Sequence, residues 1–273
     1  MALDTNKVGL RMLVQSRRTW RETRDALPAY RPRMTSFSGF DPAALDFLRG
    51  LGEHNDRAWF DAHRADYEEL LLLPAREFVT ALGERLAVIA PAVHADPRVN
   101  GSILRLNHDT RFSADKTPYK THLDLWLWEG DGPSRACSGF FLRIEADRIG
   151  YGAGMHHFEK DVLAAYRAAV DDPRRGPALV RAAKKATASG AQVGREQWKR
   201  VPAPYAADHP RADLLRYGGM VAGTRADVPA ELFTPDFPDW CLERLGPLRP
   251  LQKWVAQVVA DARSTATMRS SDT

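Results

Sequence analysis

The chain has 273 residues, 44% of them hydrophobic, with a formal net charge of +4 and two cysteines. That is enough apolar material for a substantial globular core. No apolar run approaches the roughly 20 residues needed to cross a bilayer, and the longest, Leu70 to Ala75, is interrupted by Pro74.

The positive charge is local. Residues 1–33 carry eight basic and three acidic side chains, whereas the other 240 residues carry 31 basic and 32 acidic ones. A nucleic-acid partner needs cations massed over one face, so the near-neutral body disfavours it. That reading survives only through the Arg-rich first 33 residues. They have no apolar core of a secretory signal and read as a disordered extension, or as sequence upstream of a true start at Met34. Cys137 and Cys241 fit no metal-binding or redox spacing and read as packed thiols of a cytoplasmic protein.

From Asp41-Pro42, a cap followed by proline, the pattern turns helical. Phe60, His63, Tyr67 and Leu70 recur at three and four residues behind Asn55, a candidate N-cap. Phe78, Leu82, Leu86 and Ile89 do so after an expected break at Pro74. Period two then takes over in three runs: His122 to Trp128, Phe140 to Glu145, and Ile149 to Gly154. These predict an antiparallel meander. Helical signals return at Phe158 to Val170, Pro177 to Ala188, and Pro235 to about Ala262. The expectation is one α+β domain over 34–262, with N-terminal helices, a central antiparallel meander, C-terminal helices and a flexible tail over 263–273.

The segment that stands out is Arg105 to His122. Arg105, Arg111, Lys116 and Lys120 crowd together with Asp109 and Asp115, and with Phe112 and Tyr119 between them. Pro118 and the Ser-Ala-Asp-Lys-Thr run predict a loop from Thr110 to Tyr119 joining two strands. Arginines grip phosphate or carboxylate with two bonds and lysines add point charges. Aspartates among them can orient the cations, take a proton or bind a metal. A salt-bridged loop that only closes the sheet is the structural alternative. On the strand beyond, Lys120, His122, Asp124, Trp126 and Trp128 share one face, spaced about 6.5–7 Å apart, and the leucines face the core. Gly150, Gly152 and Gly154 likewise share a face, one that admits either close packing or a ligand.

The string Arg105-x-x-His108-Asp109-x-Arg111-Phe112-x-x-Asp115-Lys116-x-Pro118-Tyr119-Lys120 resembles the signature of domain-of-unknown-function family 2461. The similarity extends over about residues 36–256. It takes in Asn55-Asp-Arg-Ala-Trp59-Phe60, the glycines 150 to 154, Lys199-Arg200-x-Pro202, Tyr205 and Asp208-His209-Pro210. The family has Arg where this chain has His108. The resemblance implies no assigned activity.

His156-His157 lacks a third metal ligand, and neither a serine elbow nor a Cys-His spacing is present. Lys199, Arg200 and His209 read either as a second cationic site or as a solvated charge cluster.

The reading is therefore a pocket for a small anionic ligand on Arg105–His122. Arg105, Arg111, Lys116, Tyr119, Lys120 and His122 would bind it, and Asp109 and Asp115 are the candidate acid-base groups. No metal is expected, and the sequence fixes neither a cofactor nor an oligomeric state. The alternative is a noncatalytic protein-interaction module.

Overall fold

The computed structural model describes residues 37–109, 111 and 116–271. The proposed extension over 1–33 and the loop residues 110 and 112–115 lie outside them.

The first helix, α1 (Ala43–Glu53), starts where Asp41 accepts the Ala43 N–H at 2.8 Å. It buries Ala44, Leu45, Phe47, Leu48 and Leu51, a spacing that lays one apolar stripe against the core. The short α2 (Arg57–Ala62) is capped by Asp56, whose carboxylate accepts Trp59 N–H. This corrects the expected cap at Asn55, one residue too early; Asn55 is used elsewhere.

Pro74 does not break the next helix. A wide turn over Tyr67–Leu72, in which Leu73 N–H reaches back five residues to Glu68 O, runs directly into α3 (Leu73–Ala87). Pro74 lies within this continuous run, and the extra residue in the preceding wide turn accommodates its ring and its missing N–H. Phe78, Leu82 and Leu86 are buried as the periodicity requires.

The three predicted strands exist and pair consecutively: β2 (Leu123–Glu129), β3 (Ser138–Ile144) and β4 (Arg148–Met155). The sheet is larger than the sequence shows. It is six-stranded and antiparallel, in the order β1-β2-β3-β4-β6-β5, with β1 at Val93–His94, β5 at Gln192–Val193 and β6 at Met220–Asp227. The two-residue strands carry no period to detect. β6 reads Met-Val-Ala-Gly-Thr-Arg-Ala-Asp, without clean alternation, and its Gly223 lies opposite Gly152 of β4.

Leu123, Leu125, Leu127, Phe140, Leu142, Ile144, Ile149 and Ala153 form the buried face. Helix α4 (Lys160–Asp171), α5 (Arg175–Ala188), the single turn α6 (Ala212–Leu215), α7 (Phe237–Leu245) and α8 (Arg249–Ser271) complete the described chain. The run predicted from Pro235 is split by a tight turn at Gly246–Leu248, where Pro247 interrupts the ladder. Helix α8 then continues to Ser271, past the expected end.

Leu251, Val255, Val258 and Val259 turn the α8 stripe into the core, and Ser138 donates from the sheet to Gln252 O at 3.3 Å. Tyr166 of α4 meets Trp254 of α8 edge-on at 5.8 Å, and Phe78 stacks on Phe237 at 4.9 Å. Arg249 ties α8 to the end of β2. It donates to Ile89 O at 2.8 Å and to Glu129 Oε1 at 3.0 Å, with the Arg249 and Glu129 side chains each 14% exposed. The architecture is α+β: helices, a central antiparallel sheet, helices.

Candidate functional site

The segment Arg105–His122 leaves and rejoins the edge of β2. Leu104 N–H bonds Asp124 O at 2.9 Å and Trp126 N–H bonds Ser102 O at 2.8 Å, so residues 102–104 extend the sheet. The two arms of the excursion pair with each other, His108 N–H to Pro118 O at 2.8 Å and Lys120 N–H to Leu106 O at 2.9 Å. Asn55 pins this ladder from outside. Its amide donates to Tyr119 O at 2.8 Å and accepts Tyr119 N–H at 3.0 Å. The Tyr119 ring is buried and stacked on Phe60 at 4.3 Å, so its role in this structure is to anchor the arm. Asn55 is thus the reason a loop rich in charge has a fixed root.

The candidate residues fall into two groups. Asp109 and Arg111 form a local pair at the exposed tip, Nε to Oδ1 at 2.9 Å and Nη2 to Oδ2 at 2.8 Å, with the Arg111 side chain 76% exposed. Hydrogen bonds from Arg111, with Arg105 nearby, hold the Asp109 carboxyl well below the usual carboxylate range. Arg105 and Lys116 are exposed as well. Asp115 lies outside the described residues.

The second group is half-buried. Lys120 Nζ and His122 Nε2 each approach Asp124 Oδ2 to 3.2 Å, and Arg143 from β3 donates to Asp124 Oδ1 at 2.7 Å and Oδ2 at 3.2 Å. The His122 nitrogen is sealed from solvent and lies off the hydrogen-bond direction, so its contact with the carboxylate is electrostatic. Burial would raise the Asp124 carboxyl. The contacts with His122 and Arg143 outweigh it and hold the group well below the usual range. Two permanent cations and an imidazole therefore share one carboxylate.

The strand face that carries them is the one opposite the leucines, and its side chains are half-exposed. Trp126 donates its indole N–H to Ser134 O at 2.9 Å, and Trp128 stacks on His94 at 5.2 Å. The glycines are explained by their neighbours across the strands. A Cβ on Gly152 would lie 2.4 Å from the Phe141 ring, and Gly154 has φ +128° with Met220 O 2.1 Å from any Cβ. Close packing accounts for these two, and Phe141 lies flat over Gly152. Gly150 is different: its nearest neighbour, Arg143 Cβ, is at 3.4 Å.

His156, at the end of β4, approaches Phe141 with ring centres 5.6 Å apart. Surrounding protein, then Arg195 and Arg143, lower its pKa and favour the neutral imidazole. A separate shallow hollow of about 380 Å³ is lined by Thr121, Glu145, Arg49, Arg148 and Arg225 among others, and by none of Lys120, His122, Asp124 and Arg143.

Sequence reasoning put Lys120, His122 and Asp124 on one face correctly and missed Arg143. The signal was a cross-strand pair of opposite charges, Asp124 opposite Arg143, which appears only once the register is known. Among the described residues, no group of three or more His, Cys, Asp or Glu side chains is arranged to hold a metal. Cys137 and Cys241 are both free and buried.

Residues 43–254 match the model of the conserved hypothetical protein family DUF2461. The chain belongs to this family. The match spans α1 to the second turn of α8, so the DUF2461 region contains the whole sheet, the Asn55 pin and both charge groups. Comparison with curated proteins and with solved structures gives no match. Among the described residues, no helix is long and apolar enough to cross a membrane.

Proposed function

We propose that this DUF2461 protein binds a small phosphate- or carboxylate-bearing ligand on the half-exposed sheet face. The observation that carries the reading is the convergence of Lys120, His122 and Arg143 on the single carboxylate of Asp124. Such a cluster has more cationic than anionic capacity, and its carboxylate holds the cations in fixed directions. That is how a site is organised before an anion arrives. Lys120 and Arg143 receive the anion, His122 contributes at the floor, and Trp126 and Phe141 give the rest of the ligand an apolar platform. Arg105, Arg111 and Lys116, exposed on the loop, are further candidates to meet the anion.

Asp109 suits orientation better than proton transfer. Held ionised by Arg111, it is a weak base at neutral pH. It remains, with Asp115, an acid-base candidate on the loop.

The test is titration calorimetry of the purified protein with inorganic phosphate and a panel of small phosphate and carboxylate compounds, repeated on Lys120→Ala and Arg143→Ala. Binding to the parent, with one binding event lost in both variants, is the expected result. No heat from any anion would defeat the reading.

Trp126, Trp128 and Phe141, half-exposed on the same face, favour a second reading in which that surface meets a protein partner. Unchanged anion binding in both variants would turn attention to it.

A further inference from the structure

The stretch Trp198-Lys199-Arg200 with Tyr205 and His209 takes no part in the sheet-face site. In the fold it gathers around helix α4. The Trp198 ring lies 4.4 Å from the Arg167 guanidinium in a cation–π contact. Tyr205 is close enough to bias the charge on Arg167.

Arg167 Nε and Nη2 are both sealed from solvent, and neither has a hydrogen-bond partner. Those two N–H groups form one edge of the guanidinium, the edge that takes an oxyanion in two parallel bonds. Among the described residues, Arg175 and Arg216 also have a buried nitrogen without a hydrogen bond, but each has a carboxylate at hand. Asp261 is 2.9 Å from Arg175, and Asp213 is 2.8 Å from Arg216. Among the described residues, Arg167 has no ion pair.

Its natural partner would be Asp171, one helical turn further along α4. One oxygen of that carboxylate is engaged elsewhere. His209 Nε2 is 3.1 Å from Asp171 Oδ1, and His209 Nδ1 accepts Arg211 N–H at 3.0 Å, which fixes the ring. Arg211 adds bonds to the backbone carbonyls Val170 O and, at 2.8 Å, Asp171 O. A desolvated, unpaired guanidinium is costly.

We propose that Arg167 anchors a second anion site, which takes a phosphate group on its Nε–Nη2 edge beneath the Trp198 ring. Exposed Lys199 and Arg200 follow Trp198 in sequence and supply the further positive charge that suits a phosphate dianion. The Trp198 backbone N–H is tied to Arg216 O at 3.1 Å, so in this proposal the ring rather than the backbone moves to admit the ligand.

The experiment compares melting of the full chain in sodium phosphate with melting in sodium chloride of equal ionic strength. The parent should melt higher in phosphate. Arg167→Lys keeps the charge and the ring contact but lacks the two-bond edge. It should match the parent in chloride. Lys120→Ala, which removes the site on the sheet, should keep a phosphate increment, and the Lys120→Ala/Arg167→Lys double variant should lose it. An increment absent from the parent, or as large in the double variant as in Lys120→Ala, overturns the proposal. In case the lysine variant does not fold, Trp198→Leu provides a second measurement. With the ring removed, calorimetry should give several-fold tighter phosphate binding than the parent; unchanged or weaker affinity overturns the proposal.

Discussion

The two charge groups of the Arg105–Asp124 stretch are built from the same residue types, and their surroundings give them different tasks. Asp109 and Arg111 sit two residues apart at an exposed tip, where water already solvates both partners and their pairing contributes little. Asp124 gathers its cations from two strands at a place where only 14% of its side chain reaches solvent. There, each charge depends on the others. The contrast shows that the density of charge in a sequence locates a segment of interest, while burial decides which of its charges the fold relies on.

The largest effect should come from removing the shared carboxylate. Asp124→Ala leaves Lys120, His122 and Arg143 facing one another, and unfolding in urea should show a loss of about 3–5 kcal/mol, the cost of stranding partly buried charge. A loss no larger than that of a surface substitution would place Asp124 with the exposed pair and erase the distinction.

Acid should reveal the same dependence in the parent. Because the folded-state pKa of Asp124 lies below its unfolded value, its stabilising contribution is fully present above about pH 4 and is lost as pH falls toward the folded pKa. Asp124→Asn has no such group to titrate. The stability gap between parent and Asp124→Asn should therefore narrow progressively on acidification below about pH 4. A gap that stays constant would show that the carboxylate charge is not what stabilises the site.

Asn55→Ala removes both bonds that pin Tyr119 and leaves two partly buried backbone groups without partners. A loss of about 1–3 kcal/mol is expected, accompanied by faster amide exchange in the 105–120 arms. Unchanged exchange there would show that the loop is rooted by the Tyr119–Phe60 stack alone.

The smallest effect should come from the tip. Arg111→Ala should leave the melting temperature unchanged, because its partner stays solvated. A large drop would mean that the exposed pair is a structural clasp, and the ranking of the two groups would reverse.

The local periods of the chain determined a great deal by themselves. Alternation at Leu123 to Trp128 identified a strand, separated its core face from its polar face, and put Lys120, His122 and Asp124 together, since the side-chain period of a strand needs no tertiary information. The helical stripes around Phe78 and Val255 were legible for the same reason. The sequence could not supply what depends on neighbours distant along the chain. Arg143 joins Asp124 through the β2–β3 register. Asn55 leaves its expected capping role because Tyr119, 64 residues away, offers both a donor and an acceptor. Asp171 is engaged by His209, 38 residues further along and beyond α5 and β5. Each of these is a choice among competing polar partners. Composition and spacing name the competitors, but only the packed core brings one of them within about 3 Å, and at that distance the choice is made.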